Sequence, residues 1–255
     1  MSSVIEKTGI TLSVVIPAYN EADRLPKYLA TVVSCLVSGF GTAAEIIVVD
    51  DGSVDATAAE AGKVDNGSGL VRVIQLQQNM GKGFAVKTGM LAARGRLRLF
   101  ADADGATPIG ELHKLIAAVE SGADIAVASR ALSDNSITVK STFVRKVLGT
   151  GYNMLVRCLT VPGIHDTQCG FKLFRGEVAE RLFSSQVIPG FGFDPEVLFL
   201  ANRMAYRIAE VPVNWQDVIG SKVNIFKDSL RMFSDLFRIR MNWRKGTYNQ
   251  FIDRK

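Results

Sequence analysis

Through the first half of the chain, short apolar runs alternate with helix-patterned segments, and most of the runs break off at a turn or at acidic residues. Leu12-Ser13-Val14-Val15-Ile16 is closed by Pro17, and Ile46-Ile47-Val48-Val49 by Asp50-Asp51-Gly52. Val71-Arg72-Val73-Ile74, Leu97-Arg98-Leu99-Phe100 and Ile125-Ala126-Val127-Ala128 continue the series. Helical patterns lie between them, at about 21–37, 54–63, 83–93 and 108–120. A strand that is apolar along its whole length is buried on both faces. The rhythm therefore predicts an α/β domain with a single mostly parallel sheet flanked by helices. In such sheets ligands bind beyond the carboxyl ends of the strands. The polar residues that break the pattern stand at those ends: Tyr19-Asn20-Glu21, Asp50-Asp51-Gly52-Ser53 and Asp102-Ala103-Asp104.

The second half is less regular. Residues 142–159 pattern as an amphipathic helix interrupted by Gly149 and Gly151, and 166–175 as a strand-like or irregular run. Asp194-Pro195-Glu196 has the form of a helix start, with Asp at the cap and Pro at the first helical position. Ile208 to Trp215 reads as one strand, and from 224 to 244 apolar and basic residues interleave at helical spacing. No linker divides the chain, and 255 residues, 47% of them hydrophobic, suit one large domain with a short appendage. We place the domain at 1–222 and a basic amphipathic helix at 223–255, either part of the domain or membrane-associating.

Several classes are excluded. Cys35, Cys158 and Cys169 are too few and scattered for a disulfide framework and read as free thiols of a reducing compartment. His113 and His165 offer no zinc spacing. The first ten residues, MSSVIEKTGI, carry no signal-peptide pattern, and no stretch of about 18 residues is apolar enough to span a membrane. Net charge is +5, with the excess concentrated from Lys222 onward, which suggests an anionic partner, phospholipid or nucleic acid. Nucleic acid is disfavoured because no recognition motif or aromatic platform accompanies the charge.

Asp102 and Asp104 can reach one divalent cation at the end of the fourth strand. Oxygen-only ligation suits Mg²⁺ or Mn²⁺, which keep positions open for water and substrate phosphates. Pro17, Tyr19, Asn20 and Glu21 could stack on and hydrogen-bond a base, or Asn20 could simply cap the next helix. Asp50 and Asp51 could accept bonds from a ribose or a base, with Gly52 making the turn and Ser53 capping a helix. In Asn79-Met80-Gly81-Lys82-Gly83, the glycines admit a phosphate to backbone N–H groups and Lys82 adds charge. A plain glycine turn fits equally, and the Gly-x-x-x-x-Gly-Lys-Ser/Thr spacing of a P-loop is absent.

In this order, over residues 11–130, these segments resemble the inverting glycosyltransferases of family 2, which have the GT-A fold. Three later segments are similar to the polyprenyl-phosphate hexosyltransferases, nearest the dolichyl-phosphate β-glucosyl branch. They are Asp166-Thr167-Gln168-Cys169-Gly170-Phe171-Lys172, Phe193-Asp194-Pro195-Glu196 and Trp215 followed by Gly220-Ser221-Lys222. The related mannosyltransferases carry a metal-binding Gln where this chain has Ala106, so the resemblance favours glucose over mannose and leaves the third protein ligand open. Eukaryotic members of the glucosyl branch begin with a membrane-spanning segment, and no such segment is found here.

The resemblance implies in-line transfer from a nucleotide sugar, UDP-glucose being favoured, to the phosphate of a polyprenyl phosphate. The metal on Asp102 and Asp104 would hold the leaving diphosphate, and Arg130 would neutralise a phosphate. Ser221 and Lys222 are the candidates for the acceptor phosphate. Asp194 falls where other family members carry a base, although a phosphate nucleophile needs none and the residue could be only a helix cap. Peripheral contact on the cytoplasmic face of a membrane would come from the basic helix near 224–244, whose apolar face could instead pack on the domain. The competing readings are a transferase with a non-lipid acceptor and a nucleotide-sugar binding protein without activity.

Overall fold

The computed structural model describes residues 9–65, 67–132, 137–140, 156, 160–218 and 225–249. The expected 142–159 helix therefore lies almost wholly outside the described residues, as do Ser221, Lys222 and Cys158.

The five strands expected from the apolar runs all form. They are β1 (Leu12–Ala18), β2 (Ala44–Asp50), β3 (Val71–Gln75), β4 (Leu97–Ala101) and β5 (Ile125–Ser129). Every residue of β1, β2 and β5 is buried, as a strand covered on both faces requires. Successive side chains point to opposite faces, so each strand feeds two cores. Leu12, Val14 and Ile16 pack with Leu25, Leu29, Val32 and Leu36 of α1 (Leu25–Phe40) and with Leu112, Leu115 and Val119 beyond them. Val15, Ile47 and Val49 face the other way, onto Val86 and Met90. Helices α2 (Thr57–Lys63), α3 (Lys82–Ala92) and α4 (Leu112–Glu120) fall where the 3.6-residue spacing places them. The first turn expected before α4 is a 3₁₀ turn over Ile109–Glu111.

Two expectations change. Between Ile208 and Trp215 there are two strands, not one. The first, β8 (Ile208–Pro212), pairs with β5, whereas Trp215–Gln216 (β9) joins Val139–Lys140 (β6) in a separate two-stranded ribbon. Pro212, lacking an N–H, sits in the edge strand β8, and the amide of Val213 beyond it still donates to Ser129 at 3.4 Å. Asn214 then ties the corner, its Nδ2 donating to Glu111 and its Oδ1 accepting from the amide of Thr138. The undecided run 166–175 contains β7 (Phe171–Arg175), which is inserted between β4 and β5 and antiparallel to both. The order is β3-β2-β1-β4-β7-β5-β8, with β7 the one reversed strand.

Among the described residues three further helices follow: α5 (Gly176–Ser185), α6 (Phe193–Arg203) and α7 (Ile225–Arg244). Leu236 and Ile239 of α7 are fully buried in the second core, so this helix packs on the domain. Its exposed side nevertheless holds Phe233, Phe237 and Met241, each 44–51% exposed. Among the described residues no helix is long and apolar enough to cross a membrane. Cys35 and Cys169 are free thiols.

Strands are added outward on one side of β1 through β2 and β3, and on the other side through β4. The carboxyl ends of β1 and β4 therefore flank the point where strand order reverses, the place at which an open α/β sheet leaves a crevice.

Candidate active site

A cleft of about 410 Å³ opens at this reversal point, floored by Pro17, Ala18, Asp102 and Asp104. Asp102 is fixed by its own backbone, whose amide donates to the carbonyl of Gly170 at 2.9 Å. Asp104 accepts the amide of Ala106 at 3.0 Å, closing a tight loop. Gly105 takes a φ of +67° in that loop and lies against the ring of Tyr28, 2.6 Å from where a Cβ would be. Burial, then the neighbouring Asp102, push the Asp104 carboxyl above the usual carboxylate range.

Lys82 pairs with Asp102, and both it and Arg24 favour the charge on Asp104. The Lys82 ammonium lies 2.6 Å from Oδ1 of Asp102 and over the ring of Phe100 at 5.4 Å. Burial works against the charge on Lys82, but Asp102, Asp194 and Asp104 together hold its pKa above the ordinary lysine value. The residues fit a divalent ion. Two carboxylates share the floor, an ammonium already stands against one of them, and the buried hydroxyl of Tyr28 has no partner among the described residues. Among the described residues no third His, Cys, Asp or Glu joins the pair there. An ion would draw its other ligands from water and from donor phosphates.

The β1–β2 side of the cleft is a braced pair of loops. Asn20, at φ +53°, accepts the amide of Val54 at Oδ1, and its own amide donates to Oγ of Ser53. Ser53 in turn donates to Asp50. Neither Asn20 nor Ser53 caps a helix: the caps of α1 and α2 are Arg24 and Ala56, and the two side chains are used between loops. Asp50 is fully buried behind the cleft, with Oδ2 unpartnered among the described residues. Asp51 lines the cleft, but its two oxygens accept the amides of Met80 and Gly81 at 2.8 and 2.9 Å. It thereby holds the glycine loop that delivers Lys82. Glu21 lines the cleft with its carboxylate on Arg24, and Tyr19 is 39% exposed at the rim.

On the β7 side, Asp194 corrects the sequence reading. It is the second residue of α6 rather than its cap, because the helix starts two residues earlier than expected, at Phe193 after Gly192. Its carboxylate turns inward to Lys172, 2.5 Å away, and both side chains are at most 7% exposed. Burial pushes the Asp194 carboxyl up, against the pull of Lys172 and Lys82. Arg130 stands apart from the cleft lining and holds Asp166 through two N–H groups, at 2.7 and 2.9 Å, with Trp215 beneath the guanidinium at 5.3 Å. Burial opposes ionisation of Asp166, yet Arg130 keeps its carboxyl below the usual range.

The structure thus gathers Pro17, Tyr19, Glu21, Asp51, Gly81, Lys82, Asp102 and Asp104 into one cleft, with Asp194 paired to Lys172 behind it. It leaves Asn20, Asp50 and Arg130 outside the lining. Sequence reasoning missed Lys172, whose signal was a lysine inside the apolar run Phe171-Lys172-Leu173-Phe174. It also missed Phe191, Arg231 and Asp235, which line the cleft and carried no local signal.

The family model for glycosyl transferase family 2 matches residues 13–183. With two thirds of its length matched and relatives about 40% identical along nearly all of it, the chain belongs to the family 2 glycosyltransferases. Among those relatives, the dolichyl-phosphate beta-glucosyltransferase of Drosophila melanogaster is 41% identical over 258 residues, 96% of this chain and 79% of the relative. The human dolichyl-phosphate beta-glucosyltransferase is 40% identical over 271 residues, covering 100% and 82%. The fold is GT-A. Glucosyl-3-phosphoglycerate synthase of Mycobacterium tuberculosis, solved with Mn²⁺, UDP and glucosyl-3-phosphoglycerate, superposes with a TM-score of 0.68 at 21% identity. That match covers 91% of this chain and 81% of the synthase.

Proposed function

We propose that this glycosyltransferase moves glucose from UDP-glucose to a polyprenyl phosphate of the dolichyl type, with inversion at the anomeric carbon. The observation that carries the reading is the Asp102–Asp104 pair with Lys82 at the sheet's reversal point. It occurs in a chain collinear over nearly its whole length with relatives bearing that activity in their names.

Pro17, Tyr19, Glu21 and Asp51 surround the nucleoside, with Asn20 and Asp50 bracing their loops from behind. Gly81 and Lys82 face the phosphates. Asp102 and Asp104 would hold Mg²⁺ or Mn²⁺, which when bound neutralises the leaving diphosphate. Lys82 adds a fixed positive charge at the same place, prepared before the reaction and partly screened from water. The nucleophile is the acceptor phosphate. With a second pKa of about 6 it is largely a dianion at neutral pH and needs no general base. Asp194 therefore acts by anchoring Lys172 and by adding to the field that keeps Lys82 charged, rather than by taking a proton. Arg130 retains N–H groups beyond those on Asp166, and we assign it to the acceptor side with Ser221 and Lys222. The exposed stripe of α7, flanked by Arg240 and Arg244, rests on the cytoplasmic face of a membrane and brings the cleft to its lipid substrate.

The test is transfer of labelled sugar into an organic-extractable lipid, with UDP-glucose and GDP-mannose compared on one polyprenyl phosphate. We expect the ratio of kcat/KM to favour UDP-glucose. A ratio favouring GDP-mannose refutes the glucosyl assignment, and label appearing only in water-soluble product refutes the lipid acceptor.

A further inference from the structure

Helix α7 contributes three residues to the cleft, Arg231, Met232 and Asp235. Asp235 is the unusual one. It is 7% exposed, and among the described residues no hydrogen bond or close ion pair reaches its carboxylate, although Arg238 and Arg231 of the same helix favour its charge from farther off. Gly192, the residue before α6, lies so close that a Cβ there would stand 2.5 Å from Oδ2 of Asp235. The backbone at 192 is thus shaped around this carboxylate and leaves its open side to the cleft. Burial pushes the Asp235 carboxyl above the usual range against the pull of Arg238 and Arg231, so its desolvation is only partly offset without hydrogen-bond donors. Cavities that contain such a carboxylate are built for a ligand that supplies the donors.

The sheet orders the cleft. The Tyr19 and Asp51 end belongs to β1 and β2, Asp102 and Asp104 follow at β4, and the start of α6 packs between Phe100 of β4 and the Gly81–Gly83 loop, with Asp235 of α7 against Gly192. On the reading above, the nucleoside occupies the first station and the diphosphate the second. The group next along the donor is its hexose. Chemistry agrees with position. The diphosphate and the acceptor phosphate are anions with no protons to offer at neutral pH, and a carboxylate repels both. Sugar hydroxyls are the donors that remain.

We propose that Asp235 binds hydroxyls of the donor hexose and sets the sugar's position for attack. The proposal rests on the donor reading of the cleft. A hydroxyl held by a carboxylate rather than by water gives about a 10- to 100-fold preference.

The experiment compares the parent enzyme with Asp235→Asn and Asp235→Ala. It measures kcat/KM for UDP-glucose, the inhibition constant of UDP, and the KM for polyprenyl phosphate, with thermal midpoints as the check on folding. The expected result is a fall of about tenfold or more in kcat/KM for UDP-glucose. UDP inhibition and lipid KM should stay within about twofold. Gly192→Ala, which crowds the same carboxylate from behind, should reproduce the pattern and serves if the Asp235 variants do not fold. An undiminished kcat/KM overturns the proposal. So does a UDP inhibition constant that rises in step, which would make Asp235 a wall of the whole cleft, or a change confined to lipid KM. If the parent itself neither binds UDP nor uses UDP-glucose, the donor reading fails, and that result is separable because it is read without any variant.

Discussion

A methyl group at residue 170 would stand 1.9 Å from Oδ2 of Asp102. The carbonyl of Gly170 also accepts the amide of Asp102, so the start of strand β7 reaches the Asp102–Asp104 loop through a residue with no room for a side chain. Gly170→Ala should therefore abolish transfer as completely as Asp104→Asn, while UDP still binds at the β1–β2 end. Transfer and UDP-dependent thermal shift on the same preparations check this. The sequence displayed Cys169-Gly170-Phe171 as a family segment, but the reason for the glycine is a contact with a residue 68 positions earlier, which no local pattern contains. Glu196 is a second case. Fully buried, it accepts the amides of Val187 and Ile188 and the hydroxyl of Tyr248, and burial raises its pKa to about 6. The folded state thus holds the proton to higher pH than the unfolded chain does. Stability from this group is greatest at low pH and falls as pH rises from about 4.5 to above 6, by about 2 kcal/mol. Urea titrations across that range should show Glu196→Gln lacking this decline relative to the parent.

At the scale of elements, α7 had two readings, packing on the domain and contact with a membrane; the structure shows the first on one face and leaves the other face exposed. Met232, Leu236 and Ile239 are 0–9% exposed against the domain, whereas Phe233 and Phe237 stack edge to face outside, 5.1 Å apart. The helix was legible from its spacing. Which apolar residues packed was not, because both faces are apolar and only the partner surface distinguishes them. The strand β7 was illegible for a related reason: it is short, it carries a lysine, and its antiparallel place is decided by two distant neighbours. If the outer stripe of α7 meets a bilayer, Arg238, Arg240 and Arg244, all exposed, contribute about 1 kcal/mol each near an anionic surface. Replacing the three with Gln should lower co-sedimentation with anionic vesicles and leave UDP-glucose affinity unchanged. Vesicle binding equal to that of the parent would show that contact is made elsewhere.

For the molecule as a whole, the apolar runs sufficed to place five of the sheet's seven strands, β1 to β5, and the rim where polar strand ends converge. They sufficed because burial on both faces leaves a mark along a single strand. What closes the cleft is contributed by α7 and the loop at Gly190 and Phe191, both late in the chain. These pack by surface fit, and their residues bear no local sign of it. The central position of β7 also has a consequence in time. On a ribosome, β1 to β4 are complete once Ala101 has emerged, but the other edge of β4 has no partner until Phe171–Arg175 follows, roughly 70 residues later. At synthesis rates of about 5–20 residues per second, that apolar edge stays open for roughly 4 to 14 seconds. Unpaired edges recruit other chains, so a chain ended at Gly170 should pellet from a lysate that keeps the full chain in solution. The yield of active enzyme from a cell is then set partly by how fast the ribosome crosses that interval and by what shields the nascent edge meanwhile.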